Sequence, residues 1–281
     1  MLTKTISLTS LTDYSSAIQI AREAGECILR YYSSPIKVHY KDDHSPVTLA
    51  DQVANDIILT QLKTAYPTIP CLSEESALPP AGSLLNDYWL IDPLDGTKEF
   101  LKRTDEFTVN IAFISNQQPM FGIVYAPAKK LLYYGGPFTR SYKVFLHEEA
   151  TPLSNAESFL RNEIIFATSR SHQGDEAHYQ TFFQKKLGKP IKNFYMGSSL
   201  KICAIAEQTA DFYLRLGATM GWDIAAGHAI LKGVGGAIVN INDQQELTYS
   251  TKSLLNPAFI AYRKNPLKAF HLSIAELLAP S

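Results

Sequence analysis

Two carboxylates that lie three residues apart form the part of this sequence most able to do chemistry. Asp92 and Asp95 follow an apolar run at residues 88–91 and precede Gly96 and Thr97. A short strand over the run would bring both carboxylates to one loop, and carboxylate oxygens are the ligands that Mg²⁺ prefers. A glycine allows close backbone approach, and amides that open a helix can hold a phosphate. The segment predicts a site that binds both a metal ion and a phosphate. The alternative is an ordinary turn formed by the Asp-Pro and Asp-Gly pairs.

Three further segments place acidic side chains next to predicted strands or helices. Glu74 and Glu75 follow an apolar strand, at the kind of strand end where α/β proteins place ligand groups. One of these two glutamates is interpreted as a solvated surface residue. Asp223 and Asp51 each open an apolar or amphipathic stretch, so each could instead be a helix cap. For the stretch that contains Asp51, Thr48 is the better cap candidate.

The composition limits the classes of ligand that the whole molecule can attract. The chain has 281 residues, of which 46% are hydrophobic and 19% are charged, which is typical of a folded globular protein. Lys and Arg number 26 against 27 acids, so the net charge of -1 gives no overall attraction to nucleic acid polymers or anionic membranes. Any anionic ligand must therefore be held by local groups.

Cysteine usage and the N-terminal residues predict a cytoplasmic location. The three cysteines form no CxxC pair and favour thiols in a reducing compartment. Residues 1–12 contain one lysine and no continuous apolar core, unlike a secretory signal. No apolar run reaches the roughly 18 residues of a membrane span. A peripheral position on the inner face of the inner membrane stays open, and nothing in the sequence indicates the oligomeric state.

The first half of the sequence has the periodicity of two helices followed by a β-rich region. Apolar residues at helical spacing predict helices over residues 12–32 and Leu49–Ala65. Turn residues then separate four short β-rich runs, which is typical of an antiparallel meander. These runs cover residues 108–114, 120–125, 131–135 and 142–146.

The second half alternates between strands and helices after a polar stretch at residues 148–161, which we interpret as a linker. The predicted elements are strands over Ile164–Thr168, Ile191–Tyr195 and 210–214, and helices over 175–187, 199–207 and 223–232. Helices packed on sheets in both halves predict an α+β fold. We place the N-terminal half at residues 1–150 and the C-terminal half, which supplies Asp223, at residues 151–281.

The order of the acidic segments resembles that of the inositol monophosphatase superfamily, whose members are Mg²⁺-dependent, lithium-sensitive phosphomonoesterases. The shared pattern is a Glu-Glu pair after a strand, then Asp-Pro-x-Asp-Gly-Thr, then Trp-Asp, and the resemblance covers roughly residues 13–259. It is strongest to the bacterial bisphosphate nucleotidases. Further shared motifs lie at residues 106–112, 169–172, 197–201 and 222–228.

The resemblance implies a fold and a set of metal ligands. The fold is the five-layer αβαβα sandwich of sugar and inositol phosphatases, with the metal site at the junction of the two halves. Two or three Mg²⁺ ions are implied. Glu74, Asp92 and the carbonyl of Leu94 would hold the first ion, and Asp92, Asp95 and Asp223 the second. A third ion, near Glu74, would join with the substrate.

The resemblance also implies roles at the scissile phosphate. The amides of Gly96 and Thr97 would face this phosphate. The hydroxyl of Thr97, polarised by Asp51, would orient or deprotonate the attacking water. Hydrolysis would then be direct, without a phosphoenzyme.

The C-terminal half is expected to hold the nucleotide and its 5'-phosphate, because hydroxyls ahead of a helix and cationic side chains suit phosphate oxygens. The substrate-binding residues implied by the resemblance are Glu74, Gly96, Thr97, Arg170, His172, Ser198, Ser199, Lys201, Arg215 and Asp223. The alternative makes Arg170 and His172 surface loop residues and one of the two serines a helix cap. His228, on an apolar helix face, is interpreted as a packing residue.

The expected reaction is hydrolysis of the 3'-phosphate of adenosine 3',5'-bisphosphate (PAP) to AMP and phosphate. It would extend to the sulfated form (PAPS to APS) and belong to sulfate assimilation. Within the same chemistry, the alternative is an inositol or sugar monophosphatase. An inactive relative that only binds phosphorylated ligands or a protein is disfavoured, because every metal-ligating acid is present.

Overall fold

The computed structural model describes residues 14–34, 38–40, 46–76, 85–145, 148–154, 162–169, 181, 183–185 and 188–263. The helices whose full bounds are described are α1 (Ser15–Tyr32), α2 (Leu49–Ala65), α3 (Thr97–Leu101), α4 (Leu200–Ala206) and α5 (Gly221–Lys232). A separate antiparallel pair is formed by β1 (Val38–Tyr40) and β2 (Pro46–Thr48). No helix in this part of the chain is long and apolar enough to cross a membrane.

A seven-stranded sheet forms the larger of the two main sheets. Its strands, in spatial and chain order, are β3 (Cys71–Ser73), β4 (Asp87–Asp95), β5 (Thr108–Ser115), β6 (Gln118–Ala126), β7 (Leu131–Gly136), β8 (Thr139–Phe145) and β9 (Thr151–Pro152). β3 pairs with β4 in parallel, and all later pairs are antiparallel. The predicted meander is confirmed.

A five-stranded mixed sheet follows. Its spatial order is β11 (Ile191–Tyr195), β10 (Ile164–Thr168), β12 (Phe212–Arg215), β14 (Phe259–Tyr262) and β13 (Ala237–Asn240). β10 pairs in parallel with β11 and β12, and β14 pairs antiparallel with β12 and β13. The sequence did not predict β13 and β14, because runs of four residues carry too little periodicity to be recognised.

Alternation along the strands divides the side chains between two faces of the larger sheet. Trp89 and Ile91 join a buried cluster with α1 and α2, whereas Leu90 and Ala112 join a second cluster with α4 and α5. A third cluster, on the outer face of the five-stranded sheet, includes Phe183 from a segment whose described residues are helical. The layers therefore follow the predicted αβαβα order, and the α+β fold is confirmed.

Helix α5 lies almost directly on strand β6. A Cβ atom at Gly122 would overlap the backbone carbonyl of Ala226 in α5, so only glycine permits this approach. The helix also contacts β4 and β5. Its first turn, which contains Asp223, is thereby held beside the acidic end of β4.

Part of the predicted linker is a strand. Thr151 and Pro152 form β9 at the edge of the seven-stranded sheet, paired with β8. Proline is tolerated there because the outer side of an edge strand needs no N–H donor. The seven-stranded sheet thus extends past residue 150, and the division into two halves stays a prediction. Most of the predicted helix at residues 175–187 lies outside the described residues.

Candidate metal and phosphate site

A bulge in β4 brings Asp92 and Asp95 to the same side of the sheet. Residues three apart in a regular strand point to opposite faces. Here Asp92 pairs with Asn110 and Asp95 pairs with Thr108, so β4 has one residue more than β5 between these pairs. An extra residue of this kind restores the common face and re-aims side chains. The sequence predicted that the strand would end before both acids, whereas it continues through them.

Three carboxylates from different elements converge at this end of the sheet. Oxygen atoms of Glu74, Asp92 and Asp223 all lie within 4.8 Å of one another. The amide of Glu74 donates to the carbonyl of Ile91 at 3.1 Å, which continues the β3–β4 pairing and sets Glu74 beside Asp92. Asp223 occupies the first turn of α5. A donor set made only of carboxylate oxygens at these distances fits a hard divalent cation.

The electrostatics of the carboxylates also favour a bound cation. Burial, together with the negative charges of Glu74, Asp95 and Asp223, raises the pKa of Asp92 well above its usual value. Burial and the charges of Asp95 and Glu74 likewise raise the pKa of Asp223 to about 8. A cation between these groups would remove both the repulsion and much of the desolvation penalty.

Asp223 is not the helix cap that the sequence allowed as an alternative. The N-cap position is Met220, and the Asp223 carboxylate accepts a hydrogen bond from the Met220 amide at 2.8 Å. Asp223 therefore stabilises the helix start from within the first turn. Its carboxylate also belongs to the acidic group.

Asp95 takes part in a different set of contacts from the other three acids. Its Oδ2 atom accepts hydrogen bonds from the amide of Ser199 at 2.7 Å, the hydroxyl of Ser199 at 2.9 Å and the side-chain amide of Asn110 at 3.3 Å. The hydroxyl of Thr108 lies at 3.5 Å from the same atom. Ser199 stands at the N-cap position of α4 but makes no side-chain capping bond.

Asp51 is hydrogen-bonded to Thr48, whereas the expected partner was Thr97. Its Oδ2 atom accepts from the amide of Thr48 at 2.7 Å and from the hydroxyl of Thr48 at 2.6 Å. Thr48 is the N-cap of α2, as predicted. The Thr97 hydroxyl instead donates to the carbonyl of Leu94, at 3.4 Å. The expected Thr97–Asp51 hydrogen bond is therefore not formed here, although α3 contacts β2.

Gly96 begins α3 in the left-handed region, with φ of 87°. An added Cβ would lie 3.3 Å from the carbonyl oxygen of Glu106 and 3.3 Å from Ser198 Cβ. Glycine therefore allows the chain to turn into α3 beside the loop that precedes α4. The Gly96–Thr97 segment lies next to the acidic group, as the sequence predicted.

A cleft of about 180 Å³ opens next to these acids and is lined by residues of α3, α4, β12 and α5. Lys201 is buried there, and its Nζ atom donates to the Ser198 carbonyl at 2.7 Å and lies 5.3 Å from the ring centre of Tyr213. Arg215 and Ser198 also line the cleft. Arg215 Nε and Ser198 Oγ are buried without a hydrogen-bond partner in the structure. These polar groups suit an anionic ligand.

Two predicted substrate-binding residues, Arg170 and His172, lie outside the described residues. Their neighbour Ser169 is described, is buried and lines the cleft. His228 lies well inside α5, with ring nitrogens 2.9 Å from the hydroxyl of Tyr249 and 3.1 Å from a carboxylate oxygen of Glu246. Its interpretation as a packing histidine is confirmed.

The sequence missed Asn110, which is buried and bonded to both Asp95 and Ser199. The available signal was a polar residue within an otherwise apolar strand, since its neighbours Val109 and Ile111 are fully buried. Such a residue usually has a specific hydrogen-bonding role.

Comparison with known proteins agrees with this geometry. The sequence model described as the inositol monophosphatase family matches residues 11–277. The chain belongs to the inositol monophosphatase family. The family resemblance inferred from the motifs is confirmed, and this membership makes the chain a hydrolase of phosphate esters.

Two similar members of the inositol monophosphatase family are named 3'(2'),5'-bisphosphate nucleotidase CysQ. The protein from Salmonella typhimurium is 42% identical over 249 residues, which cover 86% of this chain and 96% of the relative. The protein from Escherichia coli K12 is 40% identical over 249 residues with the same coverage. These relatives are enzymes that match the chain along most of its length.

Solved structures show the same fold. CysQ from Bacteroides thetaiotaomicron, described as a bacterial member of the inositol monophosphatase family, matches with a TM-score of 0.78 and 37% identity, over 90% of this chain and 98% of its own. Inositol monophosphatase II from Staphylococcus aureus MSSA476 matches with a TM-score of 0.76 and 20% identity, over 96% of this chain and 100% of its own. The second similarity supports the fold alone.

Proposed function

We propose that this chain is a Mg²⁺-dependent 3'(2'),5'-bisphosphate nucleotidase that converts PAP to AMP and phosphate. The observation that carries the proposal is the convergence of Glu74, Asp92 and Asp223 within 4.8 Å, beside a cleft lined by Lys201 and Arg215. The choice of PAP as substrate is supported by relatives of 40% and 42% identity that are named 3'(2'),5'-bisphosphate nucleotidases. The arrangement offers a cation site for one phosphate and cationic side chains for a second.

In this proposal the acidic residues hold Mg²⁺. Glu74, Asp92 and the Leu94 carbonyl would hold one ion, and Asp92, Asp95 and Asp223 would hold another. Bound Mg²⁺ neutralises phosphate oxygens and lowers the pKa of bound water. The protein contributes the fixed positions of these oxygens, which come from β4, the end of β3 and α5.

The residues around the scissile phosphate orient it and the attacking water. The amides of Gly96 and Thr97 open α3, where backbone N–H groups lack helical partners and can donate to phosphate oxygens. Asp51 acts as the base that receives a proton from water, through the hydroxyl of Thr97. Because this hydroxyl now faces the Leu94 carbonyl, its rotation toward Asp51 is part of the proposal.

The nucleotide end of the substrate is assigned to the cleft. Lys201, Arg215 and Ser198 supply cationic and hydroxyl groups there, and Arg170 and His172 remain proposed contacts. Two phosphates on one nucleoside would then be held at opposite ends of the site. The same binding mode admits PAPS, so we extend the proposal to APS formation and to sulfate assimilation.

The direct test measures phosphate release from PAP and from inositol 1-phosphate by the purified protein, with Mg²⁺ and with a chelator. We expect kcat/KM to favour PAP strongly and phosphate release to stop in the chelator. A clear preference for the inositol ester would make the chain an inositol monophosphatase instead. No Mg²⁺-dependent release from either ester would favour a binding protein without activity.

A further inference from the structure

Asn110 is a buried polar residue that contacts both Asp95 and Ser199. It lies in the middle of β5, is 1% exposed and is flanked by fully buried apolar side chains. Its Oδ1 atom is buried and has no hydrogen-bond partner. An unpaired buried acceptor weakens folding. The favourable contacts of this side chain are therefore those of its other polar atom.

That other atom, Nδ2, makes hydrogen bonds to residues of two elements, β4 and the start of α4. It donates to Ser199 Oγ at 2.8 Å and to Asp95 Oδ2 at 3.3 Å. The carboxylate also fixes the orientation of the amide, because a flipped amide would turn its oxygen toward the negative charge of Asp95. Asn110 therefore donates hydrogen bonds from strand β5 to both Asp95 and Ser199.

Ser199 connects the same carboxylate to α5. Its amide donates to Asp95 Oδ2 at 2.7 Å. Its hydroxyl lies 2.9 Å from the same atom and also contacts the backbone carbonyl of Asp223, and its one proton is donated to one of these two oxygens at a time. Ser199 is 3% exposed, and it lies at the wall of the cleft. The chain of contacts runs from β5 through Asp95 and Ser199 to the first turn of α5.

We infer that Asn110 and Ser199 are positioning residues that fix Asp95 as a one-oxygen metal ligand and tie it to Asp223. The Ser199 amide and the Asn110 side-chain amide both donate to Oδ2, and the Ser199 hydroxyl lies beside the same atom, so the inference assigns the other carboxylate oxygen of Asp95 to the cation. Outer partners of this kind orient metal ligands in many proteins. The inference rests on the proposed function, because it takes Asp95 to be a ligand, and it moves Ser199 from substrate contact to positioning.

The test measures Mn²⁺ binding by titration calorimetry or EPR, so that it does not depend on turnover. Asn110→Leu removes the donor while keeping a similar volume, and Ser199→Ala removes one hydroxyl. We expect the Kd for Mn²⁺ to rise by about 10–100-fold in Asn110→Leu, the usual effect of losing an outer partner of a ligand. Ser199→Ala should change the Kd in the same direction and provides a milder test if Asn110→Leu fails to fold.

A double-mutant cycle separates positioning from a general structural role. If Asn110 acts through Asp95, adding Asn110→Leu to Asp95→Asn should not change the Kd further. Ser141→Ala is the matched control for Ser199→Ala, because Ser141 is buried and donates to the Ile230 carbonyl, at the other end of α5. It should leave Mn²⁺ binding unchanged.

The outcomes distinguish the inference from the proposed function. A wild-type Kd in Asn110→Leu and Ser199→Ala, with Asp95→Asn weakened, overturns the positioning role alone. The positioning role is also overturned if Asn110→Leu raises the Kd for Mn²⁺ by the same factor in the wild type and in Asp95→Asn. A wild-type Kd in Asp95→Asn would instead remove Asp95 from the metal site, and the inference would fall with that assignment.

Discussion

At the scale of single residues, Asp51 has the environment expected of a base that works near neutral pH. Burial raises its pKa to about 6, although hydrogen bonds from Thr48 favour the ionised form. A base is most effective when its pKa lies near the working pH. Glu75 adds a smaller upward effect through its negative charge.

We predict that Asp51→Asn lowers kcat by about 10²–10⁴-fold, the usual contribution of general base catalysis, with a much smaller effect on KM. In the wild type, kcat should fall as the pH drops below about 6, because Asp51 is then protonated. The measurement is a pH profile of phosphate release at saturating Mg²⁺ and substrate.

Thr48→Val serves as the control for this assignment. The Thr48 hydroxyl donates to Asp51 at 2.6 Å and stabilises its ionised form, so its removal should raise the pKa of Asp51. The acid side of the pH profile should therefore move to higher pH. An unchanged kcat in Asp51→Asn would remove this residue from the mechanism.

The sequence identified residues whose chemistry is visible in a local pattern and missed those whose role comes from distant contacts. Glu74, Asp92 and Asp223 follow from a strand end, a turn motif and a helix start, and the structure brings them together. Asn110 is 89 residues from its partner Ser199 in the chain. No local pattern encodes such a contact, because it depends on how α4 and β5 pack.

At the scale of secondary structure, the bulge in β4 and the turn into α3 set the geometry of the site. The sequence predicted that the strand ends at residue 91, before the Asp-Pro and Asp-Gly turn formers. The structure accommodates the proline at the irregularity between Asp92 and Asp95. Element types were thus predictable from periodicity, whereas the bulge required knowledge of the partner strand.

The turn at Gly96 gives a prediction for α3. Gly96→Ala should lower the free energy of unfolding by about 1–2 kcal/mol, the cost of a left-handed conformation for a residue with a Cβ atom. The added carbon would also press on Ser198 Cβ and the Glu106 carbonyl, each at 3.3 Å, and move the start of α3. We therefore expect reduced turnover as well, measured alongside urea unfolding.

Gly188→Ala is the matched control, because Gly188 has φ of 63° and no atom within 4 Å of an added Cβ. It should show a similar loss of stability without a loss of turnover. If both variants lost turnover equally, the effect of Gly96→Ala would reflect global stability. If neither did, the geometry of α3 would not matter for catalysis.

At the scale of the whole molecule, the acidic group couples metal binding to the stability of the fold. Its members come from the seven-stranded sheet and from α5, which packs between the two sheets. Bringing these carboxylates together costs free energy unless a proton or a cation is also bound. Stability should therefore depend on pH and metal in a linked way.

We predict that the chelated protein loses stability as the pH rises from about 5 to 8. The pKa of Asp223 is raised to about 8, and that of Asp92 is also raised, so the folded state binds more protons than the unfolded state across this range. Each extra proton gives a slope of about 1.4 kcal/mol per pH unit, with stability present at low pH and lost at high pH. Urea unfolding at several pH values measures the slope.

Mg²⁺ should reverse this trend, because a cation bound only to the folded state stabilises it by about 2.7 kcal/mol at 100 times its Kd. The gain should be larger at pH 8 than at pH 5, where protons compete for the carboxylates.

Asp223→Asn should flatten the pH dependence, raise the stability of the chelated protein at pH 8 and abolish most of the Mg²⁺ gain. Asp243→Asn, at an exposed position, should do none of these. A chelated Asp223→Asn variant with the wild-type pH slope would mean that this carboxylate carries no electrostatic cost, and the reason for placing a cation between the sheets would be lost.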